Sequence, residues 1–367
     1  MQKGIETILK RSPGSKAKDI AKELGVDKTA VNSFLYSMPA EYAVDKDFKW
    51  TRTKDLKFVI TTQRATWVVS DHVEKALQKY GSPIENPSKY LNIEIEKDRR
   101  LLLDAISKIL ALANQAVQVG KLVSLEVGST ETLSYLNRAH FFERLHPDVS
   151  VKPYRPERTD EKYNGKNYKI VELQKIGEPG TNVPKMIRNS LEQSAPDQQI
   201  NITAVQCAIS ELVSNVEDHS RTPYPGFAGL QCYERGPRPA VMMVVSDNGL
   251  GICGTLLPVL GSKYPELAKR FSANDPNTGP NLIFKAFTEG GVSQVMDDES
   301  RGTGLHTSGR SAANLNADVI IRQDKFEIEM QFRDGKVRPP KVKLDLPKLL
   351  GTHVTFNFFL TKPKISA

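Results

Sequence analysis

Cysteine is scarce in this chain of 367 residues: Cys207, Cys232 and Cys253 are the only three, with no CxxC pair and no Cys/His metal spacing. An odd number without a framework excludes a disulfide-stapled fold and fits a reducing compartment. Long apolar runs are missing too. None approaches the ~18 residues that span a bilayer, and the opening stretch MQKGIETILKR lacks the apolar centre of a secretory signal. The expectation is a cytoplasmic protein with no membrane partner. Neither sign of charge is short: 51 basic against 43 acidic residues leave a net charge of +8. That excess suits an acidic partner without choosing one.

What the chain does have is organised around Thr203 to Ser220, TAVQCAISELVSNVEDHS. Glu211, Asn215 and His219 stand four residues apart and so share one face of a helix. Val205, Ile209, Leu212, Val213 and Val216 supply the apolar side that anchors it. A carboxylate, a carboxamide and an imidazole in one stripe differ from the Lys and Glu of an ordinary solvated face. Downstream, VMMVVSDNGLGIC (241–253) reads as a buried strand ending in Asp247, Gly249 and Gly251. RGTGL (301–305) opens a segment, HTSGRSAANLNA, able to start a helix; the strand-like DVIIRQ follows, and GTHVTFNFF (351–359) closes the region.

In this order the three stretches resemble the N, G1 and G2 boxes of the GHKL ATP-binding superfamily, which groups gyrase, the heat-shock chaperone ATPase, histidine kinases and the mismatch-repair ATPase. The closing GT-plus-strand is similar to the ending common there. The resemblance implies a histidine kinase-like ATPase domain over 181–367. Its Bergerat-type α/β sandwich would carry a mixed sheet with helices on one face, making the whole chain α+β. The resemblance also implies the cofactors, ATP and Mg²⁺. A carboxamide oxygen is a hard ligand suited to Mg²⁺, so Asn215 takes the metal. Glu211, one turn earlier, is the base for water or for a substrate hydroxyl. Asp247 accepts from the adenine amino group, and Gly249 and Gly251 let backbone approach the base. Gly302, Thr303, Gly304 and Leu305 would bare N–H groups to the phosphates at a helix start, and Thr352 joins the nucleotide contacts.

Glu211, Asn215 and His219 also match the ExxxNxxxH pattern of the anti-sigma-factor serine kinases, although His219 reads equally well as a capping or packing residue. Three functions follow: an ATPase switch, a protein serine/threonine kinase, or a DNA-binding regulator gated by ATP without turnover. The roughly 50 residues between G1 and G2 correspond to the family's ATP lid. Gly279, Gly290 and Gly291 are hinge candidates there, and Lys263, Lys269, Arg270, Lys285 and Arg301 phosphate contacts. IFKAF in that interval resembles the F box of histidine kinases. Against a sensor kinase, His140 and His146 lack the H-E/D-x-x-x-P pattern of a phosphoacceptor helix.

Two units precede this domain. Residues 1–55 resemble a winged helix-turn-helix, with three short helices and a hairpin in EYAVDKDFKWTRT. Lys28, Thr29, Asn32 and Ser33 would face a groove, and Lys46, Lys49, Arg52 and Lys54 would line the wing. The unit's positive excess is modest, so DNA and a docked protein stay open as partners, as does a homodimer. Residues 56–180 read as a small α/β module, resembling a STAS-type unit in the succession LVSLEV, GST and helix. EKDRRLLLDAISKILALANQAVQV reads as one long helix and TETLSYLNRAHFFERL as another.

Overall fold

The computed structural model describes residues 1–39, 41–52, 55–62, 66–86, 88–157, 169–194, 201–219, 222, 224–233, 240–271, 275–290 and 304–359. Helices alternate with several sheets, so the class is mixed α and β. Among the described residues, no helix is long and apolar enough to cross a membrane. The chain forms two compact units. One comprises Met1–Leu102, Leu112–Tyr135 and Leu145–Arg158, and the other Leu103–Ala111, Leu136–Arg144 and Thr159–Ala367.

In the first unit, helices Gln2–Arg11, Ala17–Leu24 and Lys28–Ser37 each present one apolar stripe. Ile5, Leu9, Ile20, Val31 and Leu35 meet Tyr42 and Trp50 in a common core. Asp27 caps the third helix: its carboxylate accepts from the Thr29 N–H at 2.6 Å, and hydrogen bonding from the Thr29 side chain first, then from its N–H, holds the carboxyl below its ordinary pKa. Strand Lys49–Arg52 pairs antiparallel with Tyr42–Val44 on one side and Ser15–Lys16 on the other. A separate sheet of four parallel strands, Asp55–Ile60, Tyr90–Ile95, Leu122–Val127 and Ser150–Lys152, keeps chain order in space. Buried Phe58, Ile60, Leu91, Ile93, Ile95, Leu125 and Val127 give it the apolar character of a sheet covered on both faces.

The helix expected over TETLSYLNRAHFFERL is broken in two, Thr130–Arg138 and Phe141–Arg144. His140 lies between them at φ 58°, and its N–H closes the first segment on the Asn137 carbonyl. This left-handed residue redirects the chain so that Phe141 and Phe142 are both buried, ring edge to ring face at 5.3 Å.

The second unit is built on an eight-stranded sheet. Its order is Ile170–Lys175, Phe227–Tyr233, Ala240–Ser246, Leu349–Phe359, Asp318–Asp324, Phe326–Arg333 and Lys336–Val337, with Lys341–Lys343 also paired to Phe326–Arg333. Every described pairing is antiparallel, where a mixed sheet was expected. The reason lies in the closing strand: it inserts between Ala240–Ser246 and Asp318–Asp324, running opposite to both. Helices Val183–Ser194, Ile202–His219 and Gly304–Asn314 pack on one face, where Ile187, Ile209, Val213 and Ala312 meet Val241, Met243, Val245 and Phe356.

Side chains alternate across a strand, so Met242 and Ser246 point to the other face. That face is also covered. The Leu103 N–H donates to the Tyr233 hydroxyl at 2.9 Å and the Ser107 and Ser246 hydroxyls bond at 2.8 Å. Helices therefore do not keep to one face: residues 103–111 supply a second layer, anchored by buried Lys108 to Glu327 at 3.5 Å.

The row holding Ser246 continues laterally through His353, Arg322 and Glu327, paired residue to residue across neighbouring strands. Arg322 is 1% exposed. It donates to the carbonyls of Asp324 at 2.6 Å, of Phe326 at 3.5 Å and of Pro347. Arg322→Met keeps the apolar stem and leaves these acceptors in a dry interior, so a loss of about 3 kcal/mol is expected. Chemical denaturation checks it; a loss below about 1 kcal/mol would show that the carbonyls find other donors.

Candidate functional site

The nominated residues fall into two clusters of the second unit. The first is on helix Ile202–His219, whose apolar side is buried as the spacing requires, leaving Glu211 and Asn215 half-buried. They meet the first residue of helix Gly304–Asn314. A methyl group built on Gly304 would lie 2.5 Å from a Glu211 carboxylate oxygen and 3.8 Å from Asn215 Nδ2. The described start of that helix, whose first N–H groups have no carbonyl within the helix to donate to and which carries partial positive charge, thus abuts a carboxylate and a carboxamide. Among the described residues, the buried Asn215 Nδ2 has no hydrogen-bond partner. A half-turn of the carboxamide exchanges its oxygen and nitrogen, so the same position can present an acceptor to a cation. Leu305 turns inward against the core. Gly302, Thr303 and Arg301 lie outside the described residues, as does the side chain of His219.

The second cluster surrounds Asp247, at the end of strand Ala240–Ser246. Asp247 is 6% exposed. One oxygen accepts from the Gly249 N–H at 2.6 Å, the other from the Thr352 N–H at 3.2 Å. The Asp247 N–H in turn donates to the Thr352 carbonyl at 3.0 Å. Burial pushes the Asp247 pKa up, and the hydrogen bonds from Gly249 and Thr352 pull part of it back. Gly351 makes this closeness possible: at φ 75°, a Cβ there would lie 2.0 Å from the Asp247 carbonyl oxygen.

Gly226 gauges how near the clusters come. A Cβ on it would lie 2.6 Å from Val216, the neighbour of Asn215, and 2.8 Å from the carbonyl oxygen of Ser246, the neighbour of Asp247. The helix with the acid and amide therefore converges on the strand end with the buried carboxyl.

Beyond Gly249 the chain enters helix Gly251–Lys263. Gln323, from strand Asp318–Asp324, accepts from the Ile252 N–H at 2.9 Å. Sequence reasoning passed over Gln323, because nothing in DVIIRQ marks one inward polar residue as a partner for a loop 71 residues away. Cys253 is buried, which pushes its thiol up to about 12. It is an inert packing group, not a nucleophile.

Among the described residues, the interval expected to be a lid holds helices Gly251–Lys263, Pro265–Ala268 and Thr278–Thr288. Gly279 sits inside the last of these, where a Cβ would meet the Phe326 ring at 2.7 Å, so packing accounts for it. Gly290 follows that helix at φ 69°, and Gly291 lies outside the described residues. Lys269 is paired with Glu266, and Lys285 with Glu289. Arg270 and Lys285 line an open cavity of 340 Å³ with Tyr264, Pro265, Glu266 and Leu267. Of the residues nominated for phosphate, Arg270 and Lys285 are there, whereas Glu211, Asn215, Asp247, Gly249, Gly251, Gly304, Leu305 and Thr352 do not line that cavity. Among the described residues, no group of three or more His, Cys, Asp or Glu side chains is placed to hold a metal. A cation here would need oxygen ligands from a phosphate as well as from Asn215.

The chain matches no protein-family model and no curated protein.

Proposed function

We propose that residues 181–367 form a nucleotide-binding domain of the GHKL type, a Bergerat-like sandwich that binds ATP with Mg²⁺. The observation that carries the reading is the meeting of Glu211, Asn215 and the start of helix Gly304–Asn314, beside a strand that ends in the buried Asp247. An acid, an amide and a helix N-terminus form a polar corner suited to phosphate and its cation. A buried carboxyl followed by a half-buried turn at Asn248 and Gly249 suits a purine amino group.

In this reading Asp247 accepts from adenine and Gly249 gives the base access to the chain, whereas the open side of Gly251 is taken by the Gln323 amide. The Gly304 end of its helix offers N–H groups to phosphate, and Asn215 holds Mg²⁺. Bound Mg²⁺ neutralises phosphate charge and polarises the terminal phosphoryl group. Glu211 orients a nucleophile and takes its proton, from water in an ATPase or from a Ser/Thr hydroxyl in a kinase.

Calorimetric titration of the full chain with a non-hydrolysable ATP analogue tests the reading. Saturable binding that needs Mg²⁺ and is lost with a chelator is expected; no binding by a well-folded chain overturns it. Phosphate release from ATP without a partner then marks the ATPase, and transfer to a protein Ser or Thr the kinase.

We further propose that the N-terminal helices and hairpin form a winged helix whose third helix is the contact element. Lys28, Thr29, Ser33 and Tyr36 are exposed along it, while Val31 and Leu35 face the core. Polarisation titrations with duplex DNA, with and without ATP, separate the ATP-gated regulator from the switch that acts through a docked protein. Binding that weakens steeply with salt is the DNA outcome.

A further inference from the structure

The geometry points to Gln323 as the positioning residue that holds the loop between Asp247 and helix Gly251–Lys263, and through it sets which purine the pocket takes. The inference rests on the nucleotide reading above and assigns a role to a side chain outside the three motifs.

Gln323 is 3% exposed, on the strand next to the closing strand, and its register partner there is Thr352. Thr352 is the residue whose N–H reaches the Asp247 carboxylate. One pair of adjacent strands therefore grips both ends of the loop: Thr352 takes Asp247 at the start, and Gln323 takes the Ile252 N–H at the end.

The grip is steric as well as polar. Gly251 adopts φ 73°, and the space where its Cβ would stand is filled by the Gln323 amide, with atoms at 2.7, 2.8 and 3.0 Å. The Ile252 N–H belongs to the first turn of its helix, where no carbonyl of that helix can accept from it. Gln323 supplies the missing acceptor from another strand, so the helix start has one placement relative to Asp247. A base lying between a fixed carboxyl and a fixed backbone is read by position. If the backbone wall moves, adenine loses its advantage over guanine.

Gln323→Met tests this, because methionine has similar length and volume but no strong acceptor. Two readouts apply. In the nucleotide-free chain, the Ile252 amide should exchange with solvent about tenfold faster, reporting local opening. In titrations with non-hydrolysable ATP and GTP analogues, the preference for ATP should fall about tenfold, as expected for one mispositioned hydrogen bond. Unchanged Ile252 exchange overturns the inference. So does an equal loss of affinity for both purines, the signature of a packing role alone.

Thermal melting is measured first. If Gln323→Met does not fold, Gln323→Glu carries the test: it keeps an acceptor oxygen at the same place and should retain both Ile252 protection and the ATP preference, whose loss would overturn the role. The outcomes stay separable from the underlying reading. A wild-type chain that binds neither purine removes the nucleotide site itself. A wild type that binds ATP beside a Gln323→Met variant with unchanged preference removes only this role.

Discussion

Asp247→Asn is expected to weaken binding of a non-hydrolysable ATP analogue by about 100-fold, roughly 3 kcal/mol, the scale of a buried charge-assisted hydrogen bond lost with its geometry. Both carboxylate oxygens are already engaged, one by Gly249 and one by Thr352. An amide can match only one of them. Its NH₂ group would face an N–H donor on one side and put a donor where adenine needs an acceptor. Glu211→Ala is the companion variant. Glu211 stands at the helix start and not in the Asp247 cluster, so binding should change less than about threefold, whereas turnover falls by 10²–10⁴, the range for a lost general base. Calorimetry reads the binding and phosphate release the turnover, after circular dichroism has shown both variants folded. Equal loss of binding in the two would sink the separation of roles.

Asp247 also makes a statement about pH. Burial raises its folded pKa above the unfolded value, so the folded chain holds that proton more tightly. Its stabilising contribution is greatest below the unfolded carboxyl value of about 3.9 and is lost as pH rises through the raised folded value. Asp247→Asn has no such proton. In melts of the nucleotide-free chain at increasing pH above about 4, the variant should gain on the wild type. A constant difference would mean that the two N–H donors compensate the burial.

Gly309→Ala carries the largest expected effect on the fold. Alanine in place of glycine normally gains up to about 1 kcal/mol within a helix. Here a Cβ would stand 1.9 Å from the carbonyl oxygen of Phe287. That atom is backbone of the neighbouring helix Thr278–Thr288 and has no rotamer by which to withdraw. Forced separation of the helices should outweigh the gain and cost about 3 kcal/mol net, a drop near 10 °C in melting for a unit of this size. Gly261→Ala is the control. It is also helical and exposed, nothing lies within 4 Å of the added carbon, and the helical gain alone should raise stability by 0.5–1 kcal/mol. If both variants move the same way, helix propensity and not interhelical contact governs Gly309.

Much of this was legible locally. The four-residue spacing of Glu211 and Asn215 sets them on one face of whatever helix forms, because 3.6 residues per turn permits nothing else. The helix Ile202–His219 carries them so. The apolar run before Asp247 has no polar alternation to support an exposed face, and it became a central strand. The apolar stripes of the first three helices, with Gly25 and Asp27 as punctuation, likewise contain their own boundaries.

The tertiary structure decided the rest. Thr352 reaches Asp247 across 105 residues of chain, Gln323 reaches Ile252 across 71, and Lys108 reaches Glu327 across 219. Each contact depends on which strands become neighbours. A strand's alternation specifies its two faces but not its partner, so no local pattern states that the closing strand inserts beside Asp247. Nor could composition show that residues 103–111 cover the second face of the sheet, or that His140 would take a left-handed turn to bury two phenylalanines. The residue types of the candidate site belong to the sequence; their convergence belongs to the sheet order, because burial and pairing are settled only when the whole sheet assembles.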